Sequence, residues 1–165
     1  MFATIDYLFY SVIIHIIMKK LSIDPKDLFF AFENRMPETN HYLDTETGEI
    51  IPVFSFNRQK LLEEMKKYPD KFIKIKPIGT KGSFKIMKDY VETVPKPQIR
   101  KELKETLLRK GAFRSFRGVI DKYPEERQHW IEFKRNATLN QIKAWLAGFD
   151  IEIELSSKNL KYQRR

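Results

Sequence analysis

Apolar residues recur in this sequence with two different periods, and the places where each period occurs limit the folds open to the chain. Alternation at every second residue marks a strand with one wet face, and it is confined to short stretches such as FIKIK from Phe72 to Lys76 and IEIEL from Ile151 to Leu155. Spacing by three and four marks an amphipathic helix, and it dominates from Ser83 to Phe149. Helices clustered late, with few strands and no strict alternation of the two, point to an α+β fold rather than to parallel βαβ units.

Local signals delimit the elements. Asp24-Pro25 joins an N-cap residue to the proline favoured in a first helical turn, which predicts a helix through DLFFAFENR to about Met36. In HYLDTETGEIIPVF two short apolar stretches flank a turn in which Gly48 supplies a positive φ, so a β-hairpin is predicted, and Pro52 puts its second strand at an edge or ends it early. Asn57 is expected to cap RQKLLEEMKKY, and Ser83 to cap FKIMKDYVETV. Pro95 and Pro97 set off PQIRKELKETLLRK, which Gly111 ends. Three further helices are predicted in AFRSFRGVIDKY, in PEERQHWIEFKRN behind Pro124, and in TLNQIKAWLAGF from Thr138. The expected architecture is a small, mostly antiparallel sheet packed with about six helices. Its parts are a hairpin near 40–55, a strand near 72–76 and a C-terminal strand near 151–155.

With 165 residues, 42% of them hydrophobic, the chain can bury one sizeable core, and no repeat or Gly/Ser linker divides it. Residues 18–156 are read as a single α+β domain followed by a basic tail, 157–165. The apolar stretch from Tyr7 to Met18 is shorter than the roughly 20 residues of a spanning helix, and Lys19 and Lys20 follow it where a secretory signal wants its positive charge in front. Residues 1–17 are therefore expected to be an over-extended reading frame with Met18 as the start, against a buried extra element or a membrane-surface anchor. Cysteine is absent, which excludes disulfides and thiolate metal ligands and fits a reducing, cytoplasmic compartment.

Charge is unevenly spread. Residues 1–57 carry four Lys/Arg against eight Asp/Glu, residues 58–88 ten against three, and residues 94–135 twelve against six. Four more positive residues lie between Ser156 and Arg165 without a compensating acid, and the formal net charge is +9. That excess is the electrostatic footprint of a phosphate-bearing partner, although many basic proteins carry it for solubility alone.

The stretches HYLDTETGEI, YPDKFIKI, KIMKDYVETV, RKGAFRSFRGVIDKYPEERQHWIEF and IKAWLAGFDIEIEL together resemble an uncharacterised bacterial family, protein family 0158, over about residues 23–155. The GAFRSF segment is the most specific part. The resemblance implies a bacterial, soluble, compact domain, leaves out the first seventeen residues, and carries over no catalytic or binding residues.

Candidate binding residues come from the second half. In GAFRSFRGVI, Phe113, Phe116 and Ile120 recur at helical spacing while Arg114 and Arg117 lie on an adjacent face. One reading makes the apolar set core and pairs the arginines with carboxylates such as Asp121. The other makes Arg114 and Arg117, with Arg109 and Lys110, a phosphate-binding edge near a helix N-terminus. Trp130 stands among Arg127, His129, Lys134 and Arg135, where aromatic and basic residues together could stack on bases and track a backbone, or where the rings could equally be core.

Asp44, Glu46 and Glu49 cluster at the hairpin, but their spacing matches no calcium loop and turn chemistry accounts for them. GTKGS from Gly79 lacks the full spacing of a phosphate loop, and the three histidines form no ligand pair. No catalytic set, metal or cofactor is assigned. The expected function is non-catalytic binding of RNA, DNA or another polyanion. A protein-interaction or regulatory module meeting an acidic protein or a second copy is the alternative, and an enzyme ranks last.

Overall fold

The computed structural model of the protein describes residues 18–155, apart from residues 35 and 37. The segment 1–17 and the tail 157–165 lie outside the described residues. Among the described residues the fold is α+β, with five strands and six helices grouped in two compact units, residues 78–141 forming the second and the remainder the first.

In the first unit, strand β1 (Lys19–Ile23) leads into helix α1 (Pro25–Glu33). Asp24 caps that helix as its sequence predicts, its Oδ1 accepting from the Lys26 N–H at 2.8 Å, and Pro25 occupies the first turn. Strands β2 (Asn40–Asp44) and β3 (Ile50–Val53) form the expected hairpin, in antiparallel register with His41 opposite Pro52. Helix α2 (Arg58–Met65) and strand β4 (Phe72–Lys74) follow, and the three antiparallel strands lie in the order β3-β2-β4. Pro52 thus stands on an edge strand, where its missing N–H costs no ladder bond. Asn57 precedes α2 but does not cap it, because its Oδ1 accepts from the Phe54 N–H at 2.8 Å and pins the preceding loop instead.

Strand β5 (Ile151–Leu155) does not join that sheet. It pairs with β1 in a separate two-stranded parallel ribbon, Lys19 opposite Ile151 through Ile23 opposite Leu155. Leu21 and Ile23 on β1 and Ile151 and Ile153 on β5 are buried, so the ribbon has one apolar face, as the IEIEL alternation predicts. Gly48, in the hairpin turn with φ of 79°, lies so close to β1 that a Cβ there would run into the Ser22 carbonyl oxygen. Leu28, Phe32, Leu43, Val53, Ile142 and Leu146 fill the core of this unit, with Phe32 edge-on to Trp145 at 5.2 Å.

The second unit is helical. Helix α3 (Thr80–Thr93) starts after Gly79, four residues earlier than a Ser83 cap would set it. Helices α4 (Pro97–Leu107) and α5 (Ala112–Ile120) are joined through Gly111, whose φ of 77° explains the glycine. The last helix, α6, runs unbroken from Pro124 to Ala147, so the two helices predicted across this stretch are one. Nothing between Arg135 and Thr138 breaks a helix, and Thr138 is buried within it rather than capping a new one. Met87, Tyr90, Val91, Leu103, Phe116 and Ile120 centre the core, with Trp130 and Phe133 packed against it. No described helix is long and apolar enough to cross a membrane.

Candidate functional site

Residues 78–141 hold fifteen Lys/Arg against eight Asp/Glu, which is +7 of the net +9. How those cations are paired decides which can meet an external anion. Lys85 has Asp89 at 2.6 Å, Lys96 has Glu125 at 3.2 Å, and Lys104 has Glu92 at 3.1 Å. Arg109 has Glu105 at 3.5 Å, Lys122 has Glu102 at 3.9 Å, and Arg127 has Asp121 at 3.6 Å. Arg100 donates from Nε to the Val94 carbonyl at 2.7 Å, and Lys134 and Arg135 each engage another group. Lys81, Lys88, Lys101, Lys110, Arg114 and Arg117 have no ion pair among the described residues.

Five of those six flank one aromatic contact. Phe84 on α3 and Phe113 on α5 meet edge to face with centroids 6.2 Å apart. Lys81 and Lys88 lie about one turn before and after Phe84 on the same helix, where side chains three and four apart are neighbours. Arg117 lies one turn beyond Phe113, Arg114 is next to it, and Lys110 stands just before the left-handed Gly111 that turns the chain into α5. Helix α5 buries Phe116, Val119 and Ile120 and exposes Arg114 and Arg117, while Phe113 sits at the boundary with 37% of its surface open. The arrangement is a pair of half-buried rings with unpaired positive charge on both sides.

Of the residues singled out in the sequence, Lys110, Arg114 and Arg117 fall in this cluster. Arg109 and Arg127 are exposed but paired, and Asp121, expected as a partner for Arg114 or Arg117, pairs with Arg127. Trp130 packs edge-on to Tyr90 at 5.1 Å and to Phe116 at 4.9 Å, so its ring is taken up by the core. Arg135 is exposed on α6 and has a partner. Lys81, Lys88 and Phe84 were not singled out. The signal that could have found the two lysines is the stripe Lys81, Lys85, Lys88 at spacings of four and three along one helix.

Two polar clusters elsewhere serve the fold. At the hairpin, Asp44 Oδ1 accepts from the N–H groups of Glu46 at 2.8 Å and Thr47 at 3.1 Å, while Lys71 lies 2.7 Å from Glu46 and 3.5 Å from Asp44. Burial pushes the Asp44 carboxyl up, but the two backbone donors and Lys71 outweigh it and leave the carboxyl below its ordinary range. The hydrogen bond to Glu46, ahead of the charge of Asp44, raises Lys71. In the helical unit, Glu126 is buried and accepts from the Tyr90 hydroxyl, with His129 Nδ1 at 3.8 Å. No cluster of three metal-ligating side chains occurs among the described residues.

A family model described as an uncharacterised protein family (UPF0158) matches residues 18–164. A UPF0158 protein of Pseudomonas aeruginosa is 26% identical over 136 residues, which cover 82% of this chain and 88% of that one. No solved structure matches.

Proposed function

This chain belongs to the uncharacterised protein family UPF0158, and from the unpaired cations around Phe84 and Phe113 we propose that it is a non-catalytic binder of nucleic acid or another polyanion. The observation that carries the proposal is the segregation of paired from unpaired charge in the helical unit. A lysine or arginine already held by a carboxylate must give that partner up to neutralise a phosphate, whereas Lys81, Lys88, Lys110, Arg114 and Arg117 need give up only water and counterion. Two of the five are arginines, whose planar fork can hold a phosphate through two parallel hydrogen bonds.

Binding of this kind is read from its salt dependence. Fluorescence anisotropy of the whole chain with labelled oligonucleotide and with labelled heparin, from about 50 to 200 mM salt, is expected to show affinity falling linearly on a log–log plot. Replacing both arginines (Arg114→Ala with Arg117→Ala) should weaken binding and flatten that slope by about 1.4 for a single strand or about 1.8 for a duplex. Unchanged slope and affinity in the double variant would remove the proposal.

A protein-interaction role has separate support in the first unit, where Phe54 and Phe56 stack with centroids 5.4 Å apart and Phe56 is 84% exposed. Paired aromatic rings open to solvent are common anchors of protein interfaces. Sedimentation velocity showing a concentration-dependent dimer that Phe56→Ser abolishes would favour it, and a monomer at every concentration would dispose of the second-copy form.

A further inference from the structure

We infer that helix α5 enters the major groove of duplex DNA, with Arg114 and Arg117 on base edges and with Lys101 and Lys110 on the phosphates beside it. The inference rests on the polyanion-binding reading and names the polyanion.

Three helices carry it. Tyr90 and Val91 from α3, Ile99 and Leu103 from α4, and Phe116 and Ile120 from α5 share one core, so the buried side of α5 is held by its two predecessors. Between Leu107 and Ala112 the chain turns in the four residues 108–111, ending on the left-handed Gly111. Tyr123, just past α5, then donates back to Glu102 on α4 at 2.9 Å. A short turn with a glycine between two packed helices is the layout of a helix-turn-helix, in which the second helix lies in the groove and the first crosses the backbone. Here the second helix exposes Arg114 and Arg117, Lys110 stands in the turn, and Lys101 is exposed on the first. None of the four has an ion pair among the described residues.

The open side of α5 has the dimensions for a groove. An α-helix with its side chains is about 10–12 Å across, and the major groove of B-DNA is about 12 Å wide. Arg114 and Arg117 are three residues apart, about 4.5 Å along the axis, the spacing at which side chains of a groove helix meet successive bases, and an arginine fork fits the two acceptors of guanine. Gly118 lies one turn beyond Arg114 on the same exposed side, and nothing stands within 4 Å of where its Cβ would be. A glycine inside a helix weakens it relative to alanine, and no described neighbour requires one here; bare backbone beside the arginines lets base edges come close. Other nucleic acids fit less well. A single strand is held by stacking on open rings, whereas Phe113, at the rim of this face, is engaged by Phe84 and by a further contact. The deep, narrow major groove of duplex RNA does not admit a helix.

The test is anisotropy of the full chain with five labelled probes, namely a G·C-rich DNA duplex of about 16 base pairs, a second of A·T pairs alone, the single strand and the RNA duplex of the first sequence, and heparin. Wild type is expected to bind the DNA duplexes more tightly than the RNA duplex or the single strand, and the G·C-rich duplex about tenfold more tightly than the A·T one, the order of one guanine contact. Arg114→Ala with Arg117→Ala should bring that ratio close to one, whereas Lys101→Ala should weaken both DNA duplexes alike and lower the salt slope by about 0.9. Gly118→Leu removes no cation and improves helix propensity, yet it should weaken DNA binding about tenfold by holding both arginines off the bases, with heparin bound as by wild type. A folding defect would not give that pattern. The groove inference is overturned by a single strand or RNA duplex bound as tightly as DNA, by a ratio that is one in wild type or unchanged in the double arginine variant, or by a Gly118→Leu protein that binds DNA normally. Arginine-sensitive, salt-dependent binding of heparin in the same assay would still leave the polyanion reading standing. Absence of binding to every probe at about 50 mM salt would end both.

Discussion

The Tyr90 hydroxyl donates to two acceptors on one residue, the backbone carbonyl and the carboxylate Oε2 of Glu126, each at 2.9 Å. Both side chains are only 2% exposed, and burial, reinforced by the adjacent carboxylate, drives the phenol far above its ordinary range. The bond joins α3 to the first turn of α6, so one hydroxyl ties two core helices and satisfies a carboxylate that has left water.

Tyr90→Phe should therefore cost more than a typical surface hydroxyl. The ring contacts with Phe116, Trp130 and Phe133 survive the change, and what is lost is a hydrogen bond to a charged, buried acceptor, worth about 1.5–3 kcal/mol. Tyr123 makes a similar-looking bond to Glu102 at 2.9 Å in a partly exposed position, and Tyr123→Phe should cost well under half as much. Urea denaturation of the two variants checks this, and equal losses would mean that burial of Glu126 does not set the value of the Tyr90 bond.

Gly48 and Gly111 have nearly the same φ, 79° and 77°, but different surroundings. At Gly111 nothing lies within 4 Å of where a Cβ would be, so Gly111→Ala should cost only the left-handed backbone penalty, about 1–2 kcal/mol. At Gly48 the added methyl would also run into the Ser22 carbonyl, which belongs to a strand and cannot move aside cheaply. Gly48→Ala is expected to cost distinctly more in the same denaturation measurement. Equal costs would mean that the hairpin turn and β1 separate without loss.

What could be read from the sequence was local. Asp24-Pro25, the turn glycine Gly48, edge proline Pro52 and the alternation of IEIEL act through residues a few positions apart, and each appears where its pattern put it. The strand Lys19–Ile23 was not legible, because KKLSI has only two core residues and its partner lies more than a hundred residues away. Charge pairing failed for the same reason. Arg117 and Asp121 are four apart, a favourable helical pair on paper, but Asp121 is the C-cap of α5 and turns to Arg127. The Phe84–Phe113 contact, which gathers the unpaired cations, joins two helices and has no signature in either one.

Stability against pH should fall in two separate windows. His41, on the central strand β2, is buried edge-on to Phe30 at 5.6 Å with its Nε2 unsatisfied among the described residues, and burial lowers its pKa from the ordinary 6.5. The unfolded chain then binds a proton that the folded one refuses, so this contribution is complete above about pH 6.5 and is lost as pH falls toward the lowered folded value, by at most about 1.4 kcal/mol per unit. Asp44 has its carboxyl held below 3.8, so its contribution persists above that value and is lost only in stronger acid. Unfolding midpoints measured from pH 8 to pH 3 should fall first through the histidine window and again through the aspartate one. His41→Phe, which keeps a ring against Phe30, should flatten the upper fall and leave the lower, and Asp44→Asn should do the reverse. A histidine variant that keeps the upper fall would assign it to another group and would mean that the buried imidazole protonates without penalty.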